Sequence, residues 1–211
     1  MKLLLTSAGI TNKSLENALR KLVKTEIKIA FIPTAANENG GDKDWLNENL
    51  NECRKLGPVE VADISLDKKE WLPELERANV ILVGGGDTAY LMNWILKSGL
   101  ANEFPRLLKR RAYVGISAGS LVLSKEIQGK SERLYGDETE NPPNGLGYIN
   151  FQIRPHLNSP YFPKIRDKNL RELSKNLVGD LYALDDNSGV LYDDGKIEVI
   201  SEGHWIKYSK L

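Results

Sequence analysis

The sequence predicts a doubly wound α/β fold, in which a mostly parallel sheet is flanked by helices and followed by a C-terminal antiparallel β extension. Two observations predict it. Short apolar runs alternate with segments whose apolar residues recur at helical spacing. These runs are apolar almost throughout, as in parallel strands buried on both faces. We interpret the 211 residues as a single domain, residues 1–211.

Each element follows from its local pattern. Ser14 is the expected N-cap of the first helix. The predicted strands are residues 2–9, 27–36, 59–65, 79–86, 112–116 and 148–153. The predicted helices are residues 14–23, 44–55, 71–78, 87–97 and 102–109, followed by a helix after Ser117. Residues 128–147 are polar and rich in turn formers, which is typical of a functional loop. The tail, residues 181–208, alternates β-like runs with Asp-Asn-Ser-Gly and Asp-Asp-Gly turns, which predicts an antiparallel meander.

The charge balance argues against nucleic-acid and membrane partners. Lys and Arg together number 29, as do Asp and Glu, so the formal net charge is zero and no block of like charge stands out. The N-terminal apolar run is too short for a signal segment, and no run approaches the roughly 18 apolar residues of a membrane span. We therefore expect a cytoplasmic protein. The single cysteine, Cys53, excludes an internal disulfide and a multi-cysteine metal site, and we expect it to be structural.

A Gly-Ile-Ser-Ala-Gly segment, residues 115–119, joins the fifth predicted strand to the next helix. A Gly-x-Ser-x-Gly turn at such a junction is the pattern of a nucleophile elbow, because the glycines remove side chains that would clash in a very tight turn. The other interpretation is a helix start that needs small residues for close packing. The segment alone does not decide between them.

A serine nucleophile needs a base, and the chain has only two histidines. His156 ends an apolar strand behind a proline, where α/β proteins place site residues. His204, in a turn before the last β-like run, is the less favoured candidate. A carboxylate should hold the base, and the candidates between Ser117 and His156 are Glu132, Asp137, Glu138 and Glu140. Spacing does not decide among them.

Hydrolysis through an acyl-enzyme also needs N–H donors for the developing oxyanion. One should be the backbone N–H of Ala118, directly after the candidate nucleophile. The second should come from the glycine-rich turn Gly-Gly-Gly-Asp-Thr, residues 84–88, in which Asp87 or Thr88 would cap the next helix. A phosphate-binding loop is the competing interpretation, but neither standard phosphate-loop motif is present.

Residues 84–88, residues 115–119 and the Ile-Arg-Pro-His segment, residues 153–156, occur in the order and spacing that resemble the peptidase E family of serine dipeptidases. The resemblance spans essentially the whole chain. It implies a flavodoxin-like fold of the class I glutamine amidotransferase type, with serine in place of the amidotransferase cysteine.

By position, the resemblance implies Ser117 as nucleophile, His156 as general base, and Ala118 with Gly86 or Gly85 as oxyanion donors. Its ungapped match from the elbow places the acid at Glu132, where the family has aspartate, and Asp137 is the rival.

The resemblance also implies hydrolysis of dipeptides that begin with aspartate. The cation for the substrate carboxylate would be Arg166, with Arg154 and Arg171 as alternatives. Asp87 departs from the family's usual asparagine, and its charge there would either affect the binding of an acidic substrate or cap a helix.

From these patterns and the resemblance to the peptidase E family, we expect a serine-type dipeptidase that binds a small peptide substrate, uses no cofactor or metal, and exists as a monomer or homodimer. An esterase or other acyl hydrolase is the nearest alternative. A non-catalytic binding protein on the same fold is the alternative from a different class.

Overall fold

In the computed structural model, which describes residues 1–127, 134–135 and 143–209, ten strands form two sheets. The strands are β1 (Lys2–Thr6), β2 (Ile29–Ile32), β3 (Val59–Val61), β4 (Val80–Val83), β5 (Ala112–Ile116), β6 (Gln152–Arg154), β7 (Leu181–Leu184), β8 (Ser188–Asp193), β9 (Lys196–Ser201) and β10 (Trp205–Tyr208). The helices are α1 (Lys13–Val23), α2 (Asp44–Leu56), α3 (Lys68–Arg77), α4 (Thr88–Lys97), α5 (Leu100–Leu107), α6 (Ala118–Leu121) and α7 (Asp167–Ser174), with a 3₁₀ helix at Thr34–Asn37.

The main sheet has the strand order β3-β2-β4-β5-β1-β8-β9. Its first five strands are parallel, and β8 and β9 are added in the antiparallel sense beside β1. This arrangement confirms the predicted doubly wound fold. The register pairs Thr6 of β1 with Ile116 of β5, and Val83 of β4 with Gly115 of β5. The carboxyl ends of β1, β4 and β5 therefore meet at one edge of the sheet.

The core lies on both faces of this sheet, which explains why the strands are apolar throughout. Alternate residues of β1 enter opposite clusters, since Leu3 and Leu5 pack on one side and Leu4 on the other. Helices α1 and α2 cover the side of Leu4, and α3, α4 and α5 cover the opposite side. Each fully buried aliphatic side chain contributes about 1.5–3 kcal/mol to this packing.

The C-terminal strands depart from the predicted single meander. Strands β8 and β9 extend the main sheet, whereas β7 pairs with β6 and β10 in a separate three-stranded sheet. The physical reason is that β7 is buried along its whole length, so it needs cover on both faces. Helix α7, which we did not predict, supplies part of that cover through Leu170 and Leu173.

The first helix also begins earlier than predicted. Asn12, rather than Ser14, is its N-cap, and the Asn12 side chain accepts the N–H of Leu15 at 3.0 Å.

The part of the chain that the structure describes contains no helix long and apolar enough to cross a membrane. The structure describes only residues 134–135 and 143–147 of the predicted loop at 128–147. The interpretation of the chain as a single domain stays a prediction.

Candidate active site

Ser117 lies in a strained turn directly after β5. Its backbone has φ 48° and ψ −109°, a conformation that non-glycine residues rarely adopt. A Cβ on Gly119 would overlap the carbonyl oxygen of Val83, and one on Gly115 would lie 2.7 Å from the carbonyl of Gly119. Both glycines are therefore required by close backbone approach. The segment therefore has the backbone geometry of a nucleophile elbow.

The neighbouring end of β1 holds the elbow in place. The Thr6 carbonyl accepts the Ser117 N–H at 3.1 Å and the buried Ser120 hydroxyl at 2.8 Å. The Thr6 hydroxyl in turn donates to the Gly115 carbonyl at 2.7 Å. Because one residue bonds to both sides of the turn, the position of the serine is set by the main sheet.

The structure brings His156, and not His204, to Ser117. The Nε2 atom of His156 lies 2.9 Å from the Ser117 hydroxyl oxygen. His156 follows β6 by two residues, has φ 64°, and stacks its ring on Phe162. His204 is exposed. Its backbone N–H donates to the Asp185 carboxylate, and its carbonyl accepts the Asp185 N–H.

Asp186 is the carboxylate that faces the other ring nitrogen. Its Oδ1 atom lies 2.7 Å from Nδ1 of His156. An ionised carboxylate only accepts, so Nδ1 carries the proton and Nε2 is left to accept the Ser117 O–H. Burial raises the pKa of the Asp186 carboxyl, but the hydrogen bond and charge of His156 and the hydroxyl of Ser7 outweigh it, and the pKa lies below its usual value.

Asp186 lies outside the range in which the sequence analysis places the candidate acids, which is the chain between Ser117 and His156. Glu132 and Asp137 are outside the described residues, so both stay predictions. Asp186 comes later in the chain than His156, in the turn between β7 and β8. The sequence signal for it is the Asp185-Asp186 pair after an apolar strand, which is also the pattern of a turn.

The candidate oxyanion donors are the backbone N–H groups of Ala118, Gly85 and Gly86. Within the described residues, none of the three donates to an acceptor. Gly86 has φ 134°, and a Cβ there would overlap the carbonyl of Ala35, so only glycine fits. Gly85 is different: a Cβ on it would lie 3.4 Å from the Ser117 Cβ and 3.9 Å from the Trp45 ring. Gly85 therefore separates the serine from Trp45.

Asp87 acts as a helix cap. Its Oδ1 accepts the N–H of Tyr90 at 2.6 Å, at the start of α4. This contact explains the aspartate at position 87. A carboxylate at an N-cap accepts an otherwise unpaired N–H, and its negative charge interacts favourably with the helix dipole.

The three candidate arginines differ in their surroundings. Arg166 donates to the carbonyls of Phe162, Ile165 and Ser159 in the turn that follows His156, while its Nε–H has no acceptor among the described residues. Arg154 is buried, and its Nη2 has no hydrogen-bond partner among the residues that the structure describes. Arg171 is exposed beside Asp167 on α7.

Comparisons with known proteins agree with this fold. A model of peptidase family S51 matches residues 3–200. Peptidase E of Escherichia coli O1:K1 / APEC is 26% identical over 222 residues, covering 99% of this chain and 86% of the relative. Peptidase E of Shigella boydii serotype 18 (strain CDC 3083-94 / BS512) matches with the same identity and coverage.

Two solved structures share the fold. A peptidase E candidate from Listeria monocytogenes EGD-e superposes with a TM-score of 0.77 at 19% identity, covering 96% of this chain and 98% of the other. A peptidase from an acI-B1 Actinobacterium gives a TM-score of 0.67 at 20% identity, covering 99% and 93%. The fold of the chain is therefore that of these peptidases.

Proposed function

Since the chain belongs to peptidase family S51, we propose that it is a serine peptidase in which Ser117 is the nucleophile, His156 the general base and Asp186 the acid. One observation carries the proposal: the three side chains form a hydrogen-bonded chain. The Ser117 hydroxyl oxygen lies 2.9 Å from Nε2 of His156, and Nδ1 of His156 lies 2.7 Å from Oδ1 of Asp186. Both distances are within hydrogen-bond range, as this chemistry requires.

In the proposed mechanism, the Ser117 oxygen attacks the substrate carbonyl while its proton passes to Nε2 of His156. The imidazolium is stabilised by Asp186 at Nδ1, and the oxyanion accepts the N–H groups of Ala118 and Gly86. His156 then gives the proton to the departing amine, which leaves an acyl-enzyme. A water molecule, deprotonated by His156, then attacks the carbonyl carbon of the ester. The bond from that carbon to the Ser117 oxygen breaks, His156 returns the proton to this oxygen, and the carboxylic acid product leaves.

The proposed substrates are dipeptides with an N-terminal aspartate. The resemblance to the peptidase E family and the 26% identity to Escherichia coli peptidase E support this class. Arg166 is the proposed partner of the substrate carboxylate, because it lies in the turn after His156 and keeps its Nε–H available. The buried Arg154 is the alternative. We include in the proposal a cytoplasmic location and a monomeric or homodimeric state.

The test is a panel of Asp-X, Glu-X, isoaspartyl and neutral dipeptides, incubated with the purified protein and with Ser117→Ala. Release of free amino acid from Asp-X dipeptides by the wild type alone is the expected result. Turnover of short esters without turnover of peptides would favour the acyl-hydrolase alternative. No labelling of Ser117 by a fluorophosphonate would favour a non-catalytic binding protein.

A further inference from the structure

Ser7 lies beside the proposed triad but has no place in the mechanism above. It directly follows β1 and is fully buried, and its backbone N–H donates to the Ser188 carbonyl at 3.1 Å. Its hydroxyl oxygen lies 2.8 Å from the backbone nitrogen of His156 and 2.8 Å from Oδ1 of Asp186. One buried hydroxyl therefore contacts both the base and the acid.

The directions of these hydrogen bonds follow from proton counting. The His156 backbone N–H can only donate, so the Ser7 oxygen accepts it. The ionised Asp186 carboxylate can only accept, so the Ser7 O–H is donated to Oδ1. The same Oδ1 accepts Nδ1–H of the imidazole. These contacts form a closed ring from the His156 backbone through Ser7 and Asp186 to the His156 side chain.

We infer that Ser7 is a positioning residue that holds Oδ1 of Asp186 against Nδ1 of His156. The inference rests on the proposed function, because it assigns Ser7 a part in activating Ser117.

Two features show why such a residue is needed. The Asp186 side chain is 45% exposed, so water competes with His156 for its carboxylate, and rotation would turn Oδ1 away from the ring. His156 has φ 64°, so its backbone is held in a conformation that a non-glycine residue disfavours. Ser7 opposes both changes, since its hydroxyl ties the carboxylate to the histidine backbone.

The rate at which a fluorophosphonate labels Ser117 tests the inference without a known substrate. Ser7→Ala should slow labelling by about 10- to 100-fold, as loss of a group that orients a histidine's partner does. Ser124→Ala is the matched control, because Ser124 is equally buried and, within the described part of the chain, its hydroxyl bonds only to the Leu121 carbonyl. That variant should label at the wild-type rate.

A double-mutant cycle separates positioning from a purely structural role. If Ser7 acts through Asp186, then Ser7→Ala should change the labelling rate by less than about twofold in an Asp186→Ala background. The same loss in both backgrounds, or no loss in the single variant, would overturn the inference. If Ser7→Ala does not fold, Ser7→Cys has nearly the same shape but a weak donor, and it should label more slowly than the wild type.

A spectroscopic readout is independent of activity. With only two histidines in the chain, the Cε1–H resonance of His204 is an internal reference for that of His156. Ser7→Ala should shift or broaden the His156 resonance and leave that of His204 unchanged, whereas an unchanged His156 resonance would overturn the inference. If the wild type is not labelled at all, the proposed function fails, and this resonance still decides whether Ser7 holds the pair together.

Discussion

The imidazole of His156 lies flat against the phenyl ring of Phe162, with 4.3 Å between the ring centroids and 15° between the planes. Tyr135 packs edge-on against Phe162 at 5.7 Å, and its hydroxyl donates to the Pro155 carbonyl at 3.2 Å. The histidine is thus held on one ring face as well as at both ring nitrogens. Stacking fixes the plane of the ring, and the aromatic face favours the imidazolium that forms during proton transfer.

Phe162→Leu should therefore lower kcat/KM by about two- to fivefold, because a partly exposed cation–π contact is worth ~0.5–1 kcal/mol. Phe162→Tyr keeps the aromatic face and should stay close to the wild-type value. Steady-state kinetics on the best dipeptide of the panel measures both variants. Equal values for Phe162→Leu and the wild type would show that the stacking has no catalytic effect.

Asp186→Asn should lower kcat by about 10³- to 10⁴-fold, because the amide no longer holds the Nδ1–H tautomer or stabilises the imidazolium. Glu132→Gln and Asp137→Asn should each stay within about twofold of the wild type, since Asp186 already accepts the Nδ1–H of His156. Steady-state kinetics measures kcat of the three variants, and circular dichroism confirms that each variant is folded. A large loss in either loop variant with an active Asp186→Asn would assign the acid to the loop instead.

The sequence predicts Ser117 and His156 of this site far better than it predicts Asp186, the carboxylate that contacts His156. Ser117 can be predicted because the glycines on either side of it are required by local backbone contacts, which leave a pattern in the sequence. His156 can be predicted because the chain has only two histidines to choose from. Asp186 reaches the site only because β8 pairs with β1, a long-range contact that no local pattern encodes.

The same distinction holds for the strands. The bounds of β5 are predicted to the residue, since that strand is apolar and ends at the elbow. The division of β7 and β8 between two sheets is not predicted, because both have β-like patterns and only their tertiary partners differ.

The adjacent glycines Gly85 and Gly86 should respond differently to alanine. At Gly86 the positive φ and the overlap with Ala35 make Gly86→Ala destabilising by roughly 1–3 kcal/mol or more. At Gly85 the backbone accepts a side chain, and the new methyl group would lie 3.4 Å from the Ser117 Cβ. Gly85→Ala should therefore keep its melting temperature within a few degrees of the wild type and obstruct access to the nucleophile.

Thermal unfolding and the rate of fluorophosphonate labelling distinguish these two effects. We expect Gly85→Ala to fold normally and label at least about tenfold more slowly, a barrier increase of about 1.4 kcal/mol. An unimpaired Gly85→Ala variant would mean that the substrate and the reagent reach Ser117 from another side.

Asp63 links the stability of the site to pH. Its carboxylate accepts the Thr34 hydroxyl at 2.8 Å and the Asn37 side-chain amide at 3.0 Å, which fixes the 3₁₀ helix that packs on Gly86. Burial raises the pKa of Asp63, but hydrogen bonds from Asn37, the backbone and hydroxyl of Ser65, and Thr34 outweigh it, so the pKa lies below the usual value. A lowered pKa in the folded state means that the ionised carboxylate stabilises the fold.

Asp63→Asn should therefore lower the free energy of unfolding on the order of 1 kcal/mol at neutral pH. The stabilisation is fully present above the unfolded-state pKa of about 3.9 and is lost as the pH falls through the lower folded-state value. Urea unfolding between about pH 7 and pH 3 should show the gap between wild type and variant narrowing only below about pH 4. Asp67→Asn is the control, because Asp67 is exposed and pairs only loosely with Lys69 at 3.6 Å. A gap for Asp63→Asn that stays constant to the lowest pH would mean that its carboxylate charge does not stabilise this turn.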